Sequence, residues 1–245
     1  MYPWKTVRTV CVVLLLIPLI HLVYLVSRDT LASLNNSPNA WESELAAYSS
    51  ADSNSQLPHN PVVVVGGKRV KLWPELAEVL APRPVLMRGL GDAIVDDIIH
   101  HYVRLVGFYQ PETVVFLPGN SEFHIRDDKS AIDLVQGIQE LEEIDRNHEV
   151  TRQLVVFAPL KTPLHPGDDG RIEETTRRLQ AWAAGKPRVI IIDANALLSD
   201  TEGRPRPHYY RSDGVNLNDR GYLRLSMLLL DALEAVSPTT SQPAT

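Results

Sequence analysis

Few side chains in this sequence combine a reactive type with a useful spacing. Lys68 follows Val62-Val63-Val64-Val65-Gly66-Gly67, an apolar run that breaks at two glycines. A lysine placed there offers a full positive charge or, when neutral, an amine nucleophile. Far downstream, Arg211-Ser212-Asp213-Gly214-Val215-Asn216 sets a carboxylate and an amide three residues apart. Between these two segments lie Asn120, Ser121, Glu122 and His124, with Asp127 and Asp128 just beyond. Ser121 and His124 have the types of a nucleophile and a base. His208 stands five residues before Asp213 and reaches it only if its loop folds back. The chemistries open to this set are recognition of an anion and attack on an ester.

Other classes fall away. The only cysteine is Cys11, so neither an intrachain disulfide nor a thiolate metal cluster can form. His100 and His101 are adjacent, and neighbours on a helix point about 100° apart, which suits surface or packing roles better than one metal ion. No metal or cofactor is expected. With 24 basic against 30 acidic residues, a net charge of −6 and no Lys/Arg stripe, nucleic acid is not expected as a partner.

The elements that would position these residues alternate. Val62-Val65, Val85-Met87, Thr113-Leu117, Leu154-Ala158 and Val189-Ile192 read as short buried strands. Leu72-Leu80, Ala93-Val106, Ile132-Ile144, Ile172-Ala184 and Arg220-Val236 read as helices between and after them. Such alternation predicts an α/β fold, a three-layer α/β/α sandwich with a five-stranded parallel sheet. Ligands of these sheets bind beyond the carboxyl ends of the strands, where Gly66-Lys68, Gly89-Asp92 and Gly119-Glu122 all emerge. Trp73 and Tyr222 are expected in helix-to-sheet packing, and Arg69 and Lys71 at the solvent or the pocket rim.

Several of these segments, in order, resemble the sequence blocks of the SGNH (GDSL-type) ester hydrolases over roughly residues 60 to 231. Val62 to Trp73 resembles the first block, Pro84-Val85-Leu86-Met87-Arg88-Gly89-Leu90-Gly91-Asp92-Ala93 the second, and Val114 to Glu122 the third. Asp213 to Tyr222 resembles the last, and the end of the chain from Ile191 follows a bacterial SGNH subgroup. The resemblance implies the SGNH/flavodoxin-like sandwich. It also implies that the nucleophile position is Lys68, an oxyanion donor Gly89, the third-block amide position Ser121 with Asn120 one residue early, and the acid and base positions Asp213 and Asn216. Gly91-Asp92-Ala93 also looks like a Gly-Asp-Ser block with alanine for serine, but lies after the second strand.

Two of those positions hold residues that cannot run the reaction. Attack by Lys68 on an ester would leave a stable amide, and the Asn216 amide takes up no proton near neutral pH. No Ser, Thr or Cys occurs from Gln56 through Glu112, and no His from Tyr209 onward, so no local shift restores either role. The expectation is a pseudoenzyme whose pocket, formed by Gly67, Lys68, Gly89, Asn120 and Ser121, binds an anionic or acylated envelope ligand or serves a partner protein. Two alternatives stay open: Lys68 pairs with Asp213 or Glu122 and plugs the pocket, or Ser121 with His124 or His208 forms a rebuilt ester hydrolase or acyl transferase.

At the front, Lys5 and Arg8 precede Thr9 to Val26, an apolar run interrupted by Pro18 and His21 and near the lower limit for a membrane helix. No small-x-small cleavage site follows directly. Residues 1–27 therefore read as an uncleaved single-pass anchor in a bacterial inner membrane, residues 9–26 crossing it, with the remainder periplasmic or otherwise extracytoplasmic; a cleaved signal peptide is the alternative. Residues 28–59 read as a tether or stalk, 60–236 as the SGNH-like domain and 237–245 as a loose tail.

Overall fold

The computed structural model describes residues 12–24, 37–124, 126–149 and 151–236, with the isolated positions Pro3 and Arg8. Residues 12–24 are helical, and among the described residues no helix is long and apolar enough to cross a membrane. The rest of the expected span, 9–11 and 25–26, lies outside the described residues, as does the tail expected over 237–245.

The packed unit begins at Trp41. Its strands are β1 (Val62–Gly66), β2 (Val85–Gly89), β3 (Thr113–Leu117), β4 (Gln153–Phe157) and β5 (Val189–Ile192). All pair in parallel, in the order β2-β1-β3-β4-β5. The helices, in chain order, are α1 (Glu42–Ser53), α2 (Lys68–Lys71), α3 (Leu76–Val79), α4 (Val95–His100), α5 (Tyr102–Leu105), α6 (Ala131–Asn147), α7 (Asp169–Ala183), α8 (Asn195–Leu198) and α9 (Asp219–Val236).

The strands are nearly unbroken apolar runs because both faces are covered. Val62, Val64, Val115, Leu117, Val155 and Phe157 share one core with Trp73, Leu76 and the α9 residues Tyr222, Leu225, Leu229 and Leu233. The α9 residues recur at helical spacing, which turns one stripe to the sheet. Trp73 stacks on Tyr222 at 5.9 Å and meets Phe157 edge-on, so both aromatics pack as expected. The intervening strand residues Val63, Val65, Val114, Phe116, Leu154 and Val156 are buried as well, and on that side α4, α6 and α7 pack side by side.

Two expected helices are each divided. Pro74 lacks an N–H and disfavours helical backbone at Trp73, so α2 stops at Lys71 and α3 starts at Leu76, after Glu75 turns left-handed at φ 57°. The helix expected over 93–106 becomes α4 and α5, parted at His101.

The stalk expected over 28–59 is corrected in its second half. Helix α1 is held on the domain by polar contacts that a loose tether would lack. Tyr48 Oη donates to Gly89 O at 2.6 Å, Arg88 Nη2 to Asp52 Oδ1 at 2.7 Å, and Tyr109 Oη to Asp52 Oδ2 at 2.5 Å. Glu44 Oε2 accepts from Gly91 N at 3.1 Å and from Lys71 Nζ at 2.9 Å. Trp41 is buried against Gly91, where any Cβ would overlap the indole ring. These anchors are single polar side chains together with the isolated apolar residues Trp41 and Leu45, without a sustained apolar periodicity, so the sequence pattern did not reveal them.

Candidate functional site

The sheet fixes where the site must be. β1 pairs with β2 on one side and β3 on the other, so the chain changes direction between β1 and β3 and leaves a crevice at their carboxyl ends. Gly66 is level with Gly89 and Leu117. Its φ of +150° and the overlap that a Cβ would make with Leu117 O require glycine there. The chain then turns through Gly67, whose Cβ position lies 2.9 Å from Ala93 O, and enters α2 at Lys68.

A cavity of about 560 Å3 opens at this edge. Lys68, Arg69, Asp92, Asn120, Ser121 and His124 line one part of it, and Leu164, His165, Asp213, Val215 and Asn216 another. The structure thus brings together Lys68, Asn120, Ser121, His124, Asp213 and Asn216, residues spread over almost the whole domain.

Asp213 and Asn216 keep a hydrogen bond between them. Asn216 Nδ2 donates to Asp213 Oδ2 at 2.7 Å, while the backbone N–H groups of Val215 and Asn216 both donate to Asp213 Oδ1 at 2.9 Å. Burial alone would raise the Asp213 pKa. These three donors and the nearby Lys68 charge outweigh that effect and hold it below the usual carboxylate range. The amide at 216 therefore orients the carboxylate but offers no basic nitrogen.

Lys68 is exposed and, among the described residues, forms no ion pair with Asp213 or Glu122. The plugged pocket is corrected on this point. Glu122 is fully buried elsewhere, accepting from Val95 N at 2.7 Å and lying 3.5 Å from Lys129.

Arg69 departs from the expected rim position. It is 2% exposed, and Nη1 donates to Pro118 O at 3.2 Å. Nε and Nη2 have no hydrogen-bond partner among the described residues. Burial depresses its pKa, opposed by Tyr210, Tyr222 and Asp213, and the guanidinium remains charged. Tyr222 Oη donates to Arg69 O at 2.8 Å, which pins the backbone of this residue. Lys71, by contrast, is exposed and paired with Glu44.

Three expected site residues do not line the cavity, the first being Gly67, which only turns the chain ahead of Lys68. Gly89 ends β2 beneath α2, with its Cβ position 2.8 Å from Lys71 N, and does not line the cavity; Asp92, three residues on, does. His208 sits in a separate depression with Arg220, Leu223, Arg224 and Met227, its ring 4.0 Å from that of Tyr209. It is no base for this cavity.

His124 has partners that the sequence reading missed. Its Nε2 is 2.5 Å from Asp168 Oδ2, and its ring stacks on His165 at 4.0 Å. Asp168 also accepts from Arg171 Nη2 at 2.6 Å. Among the described residues, no hydrogen bond joins Ser121 to His124, though both line the cavity and Ser121 is 6% exposed. The available signal was His165-Pro166-Gly167-Asp168, two polar residues a helical turn apart just after β4.

With this geometry in place, comparison with solved structures is decisive for the architecture. A GDSL-like lipase from Bacteroides thetaiotaomicron superposes with a TM-score of 0.66 at 16% identity, over 78% of this chain and 97% of the other. The chain has the SGNH/GDSL-type hydrolase fold. A protein from Streptococcus pneumonia, provisionally described as a platelet activating factor, matches with a TM-score of 0.69 at 17% identity, over 87% of this chain and 99% of the other. A lipase/acylhydrolase from Enterococcus faecalis matches at 0.56 and 15% identity, over 74% of this chain and 100% of the other. No protein-family model and no curated protein matches the chain in sequence. The SGNH frame is thus shared in three dimensions at identities that carry no activity across.

Proposed function

We propose that this protein is a membrane-anchored SGNH-fold binding module, a pseudoenzyme whose pocket takes an anionic ligand outside the cytoplasm. The observation that supports it best is that the two cations of the pocket wall, set against the carboxylates Asp92 and Asp213, form no ion pair among the described residues. Lys68 lines the cavity without an ion pair among the described residues, and Arg69 beside it is buried with unpartnered donors. A buried cation without a counter-ion is costly, and an anion in the cavity supplies that counter-charge. Asp213 accepts three hydrogen bonds from its own turn, which hold its carboxylate there instead of in an ion pair with Lys68. The bound group is a carboxylate, phosphate or sulfate, or an acylated envelope molecule that carries one.

The test is binding of inorganic phosphate and of acetate to the full chain by isothermal titration calorimetry, beside turnover of short-chain p-nitrophenyl esters. Saturable binding that Lys68→Ala weakens about tenfold, with ester turnover no higher than in a heat-denatured control, supports the reading. Turnover abolished by a pocket substitution, or binding indifferent to Lys68, overturns it. The anchor is a separate claim, supported by the apolar helical segment at 12–24 and the flanking Lys5 and Arg8. Release of the chain from membranes by an alkaline carbonate wash would refute it.

A second reading has one observation in its favour. His124 is bonded to a carboxylate in the same cavity as Ser121, so an acid–base pair stands near a hydroxyl. It predicts a fluorophosphonate adduct on Ser121, and a chain that stays unlabelled excludes it.

A further inference from the structure

His124, His165 and Asp168 come from two loops at the carboxyl end of the sheet, the first following β3 and the other two following β4. We infer that these three side chains form a binding site for a divalent transition metal ion, opening on the cavity. The inference is independent of the anion reading, since neither Lys68 nor Arg69 takes part in it.

The geometry is that of converging donors. One ligand atom from each of the three residues lies within 4.8 Å of the others. The two imidazole rings stack at 4.0 Å with 23° between their planes, so their in-plane lone pairs run nearly parallel and one ring must rotate for both to share an ion. Two imidazoles and one carboxylate suit zinc, cobalt, nickel or ferrous iron, whereas magnesium and calcium prefer all-oxygen shells. Three protein donors leave at least one coordination position vacant, and here it faces the cavity that His124 and His165 line.

The surroundings of Asp168 orient it for this task. Arg171 Nη2 donates to Oδ1 at 2.6 Å, leaving Oδ2 turned to the histidines. Arg171 is itself shared, with Nη1 donating to Asp128 Oδ1 at 2.5 Å and to Lys129 O at 3.1 Å. The guanidinium charge is therefore divided between two carboxylates and does not cancel Asp168. This is the outer-shell support that metal-ligating carboxylates commonly receive.

Binding requires the donors to even out their spacing, closing the wider separations of up to 4.8 Å and turning a stacked ring as well as opening the shortest contact. Two donors on a tetrahedral zinc ion, each about 2.05 Å from it, stand about 3.3 Å apart. The contact between His124 Nε2 and Asp168 Oδ2 is 2.5 Å, so binding opens it by roughly 0.8 Å and replaces the hydrogen bond with the ion. Neither histidine side chain is sealed in the core, and both belong to loops.

The experiment uses the full chain without a histidine tag, stripped with a chelator and titrated with Co2+ while the visible ligand-field bands are recorded. The expected result is one equivalent bound with the intense bands of four- or five-coordinate cobalt, displaced by Zn2+ and unaffected by Mg2+. His165→Ala and Asp168→Asn should each weaken binding by about tenfold or more, and His208→Ala should leave it unchanged. Circular dichroism verifies that each variant is folded. A wild-type chain that never develops low-coordinate bands overturns the inference whatever the variants do. So does cobalt binding that folded His124→Ala and His165→Ala variants retain at full affinity.

Discussion

Arg69→Met offers the sharpest separation between a pocket built for a ligand and one that merely survives. The guanidinium has one acceptor, Pro118 O at 3.2 Å, and two nitrogens without partners among the described residues. A hydrogen bond from a charged donor contributes about 1.5–3 kcal/mol, whereas each buried donor left unmade costs about 1–3 kcal/mol. Removing a cation from water adds a penalty of several kcal/mol. Methionine has nearly the same length, no donors and no charge, so the balance favours the variant by about 1–3 kcal/mol in anion-free buffer. For a domain of this size, Tm should rise by about 3–10 °C.

Phosphate should offset most or all of that advantage. At about one hundred times its Kd it stabilises the native wild type by about 2.7 kcal/mol and the variant hardly at all. Phosphate also stabilises proteins generally by exclusion from their surfaces, so the quantity to read is the difference between wild type and variant at matched ionic strength. Urea unfolding with and without phosphate measures it. If the Arg69→Met substitution destabilises the domain in both buffers, or if phosphate stabilises both proteins equally, the guanidinium is structural and the charge argument fails.

Three further outcomes follow from the same contacts. Lys68→Ser combined with Asn216→His places serine and histidine at the vacant positions, with Asp213 already 2.7 Å from the side chain at 216. The double variant should gain a fluorophosphonate adduct at position 68 that neither single variant shows, and an unlabelled double variant would mean that the frame itself has drifted. Asp52→Ala strips two donors of their acceptor and leaves Arg88 uncompensated, which should cost about 3–5 kcal/mol in urea unfolding; a loss under about 1 kcal/mol would return α1 to the role of a passive tether. Glu142 accepts from Lys186 and Arg188, and although burial opposes them, these partners lower its pKa. A lowered carboxylate pKa contributes stability above its ordinary value near 4.5, and that contribution is lost as pH falls through the folded-state value. Glu142→Gln should therefore lower Tm at pH 7 more than at pH 3, and an equal loss at both would show that charge is not involved.

What could be read in advance divides by the kind of signal. Val62-Val65, Thr113-Leu117 and Val189-Ile192 were legible as strands because a parallel sheet buries both faces and leaves long apolar runs. Lys68, Asn120 and Ser121 were legible as neighbours because strand ends in such a sheet share one edge, whereas Asp213 and Asn216 were joined to them only by the resemblance to the last SGNH block. Gly89 was misplaced by three residues, since the turn after β2 carries the chain past the strand before Asp92 meets the cavity. Arg69 was misread because an arginine next to an exposed lysine carries no mark of burial, and only the short α2 turn directs one outward and the other inward. His165 and Asp168 were missed because their partner His124 lies about forty residues away in sequence, and no periodicity links two loops.

The turn from Asp213 to Asn216 satisfies its carboxylate without a histidine. In a serine hydrolase the aspartate needs a partner, or its buried charge becomes a liability. Here that need is met by Val215 N, Asn216 N and the Asn216 amide, all within one turn. The turn is therefore self-sufficient, and its stability does not depend on a proton-transfer role at position 216. The same holds across the cavity, where Gly66 is demanded by Leu117 O and not by any reacting group. Backbone constraints preserve the frame, while the side chains at its mouth are free to change. On the proposed reading, the cations Lys68 and Arg69 add to this frame an attraction for an anion that backbone dipoles alone supply more weakly.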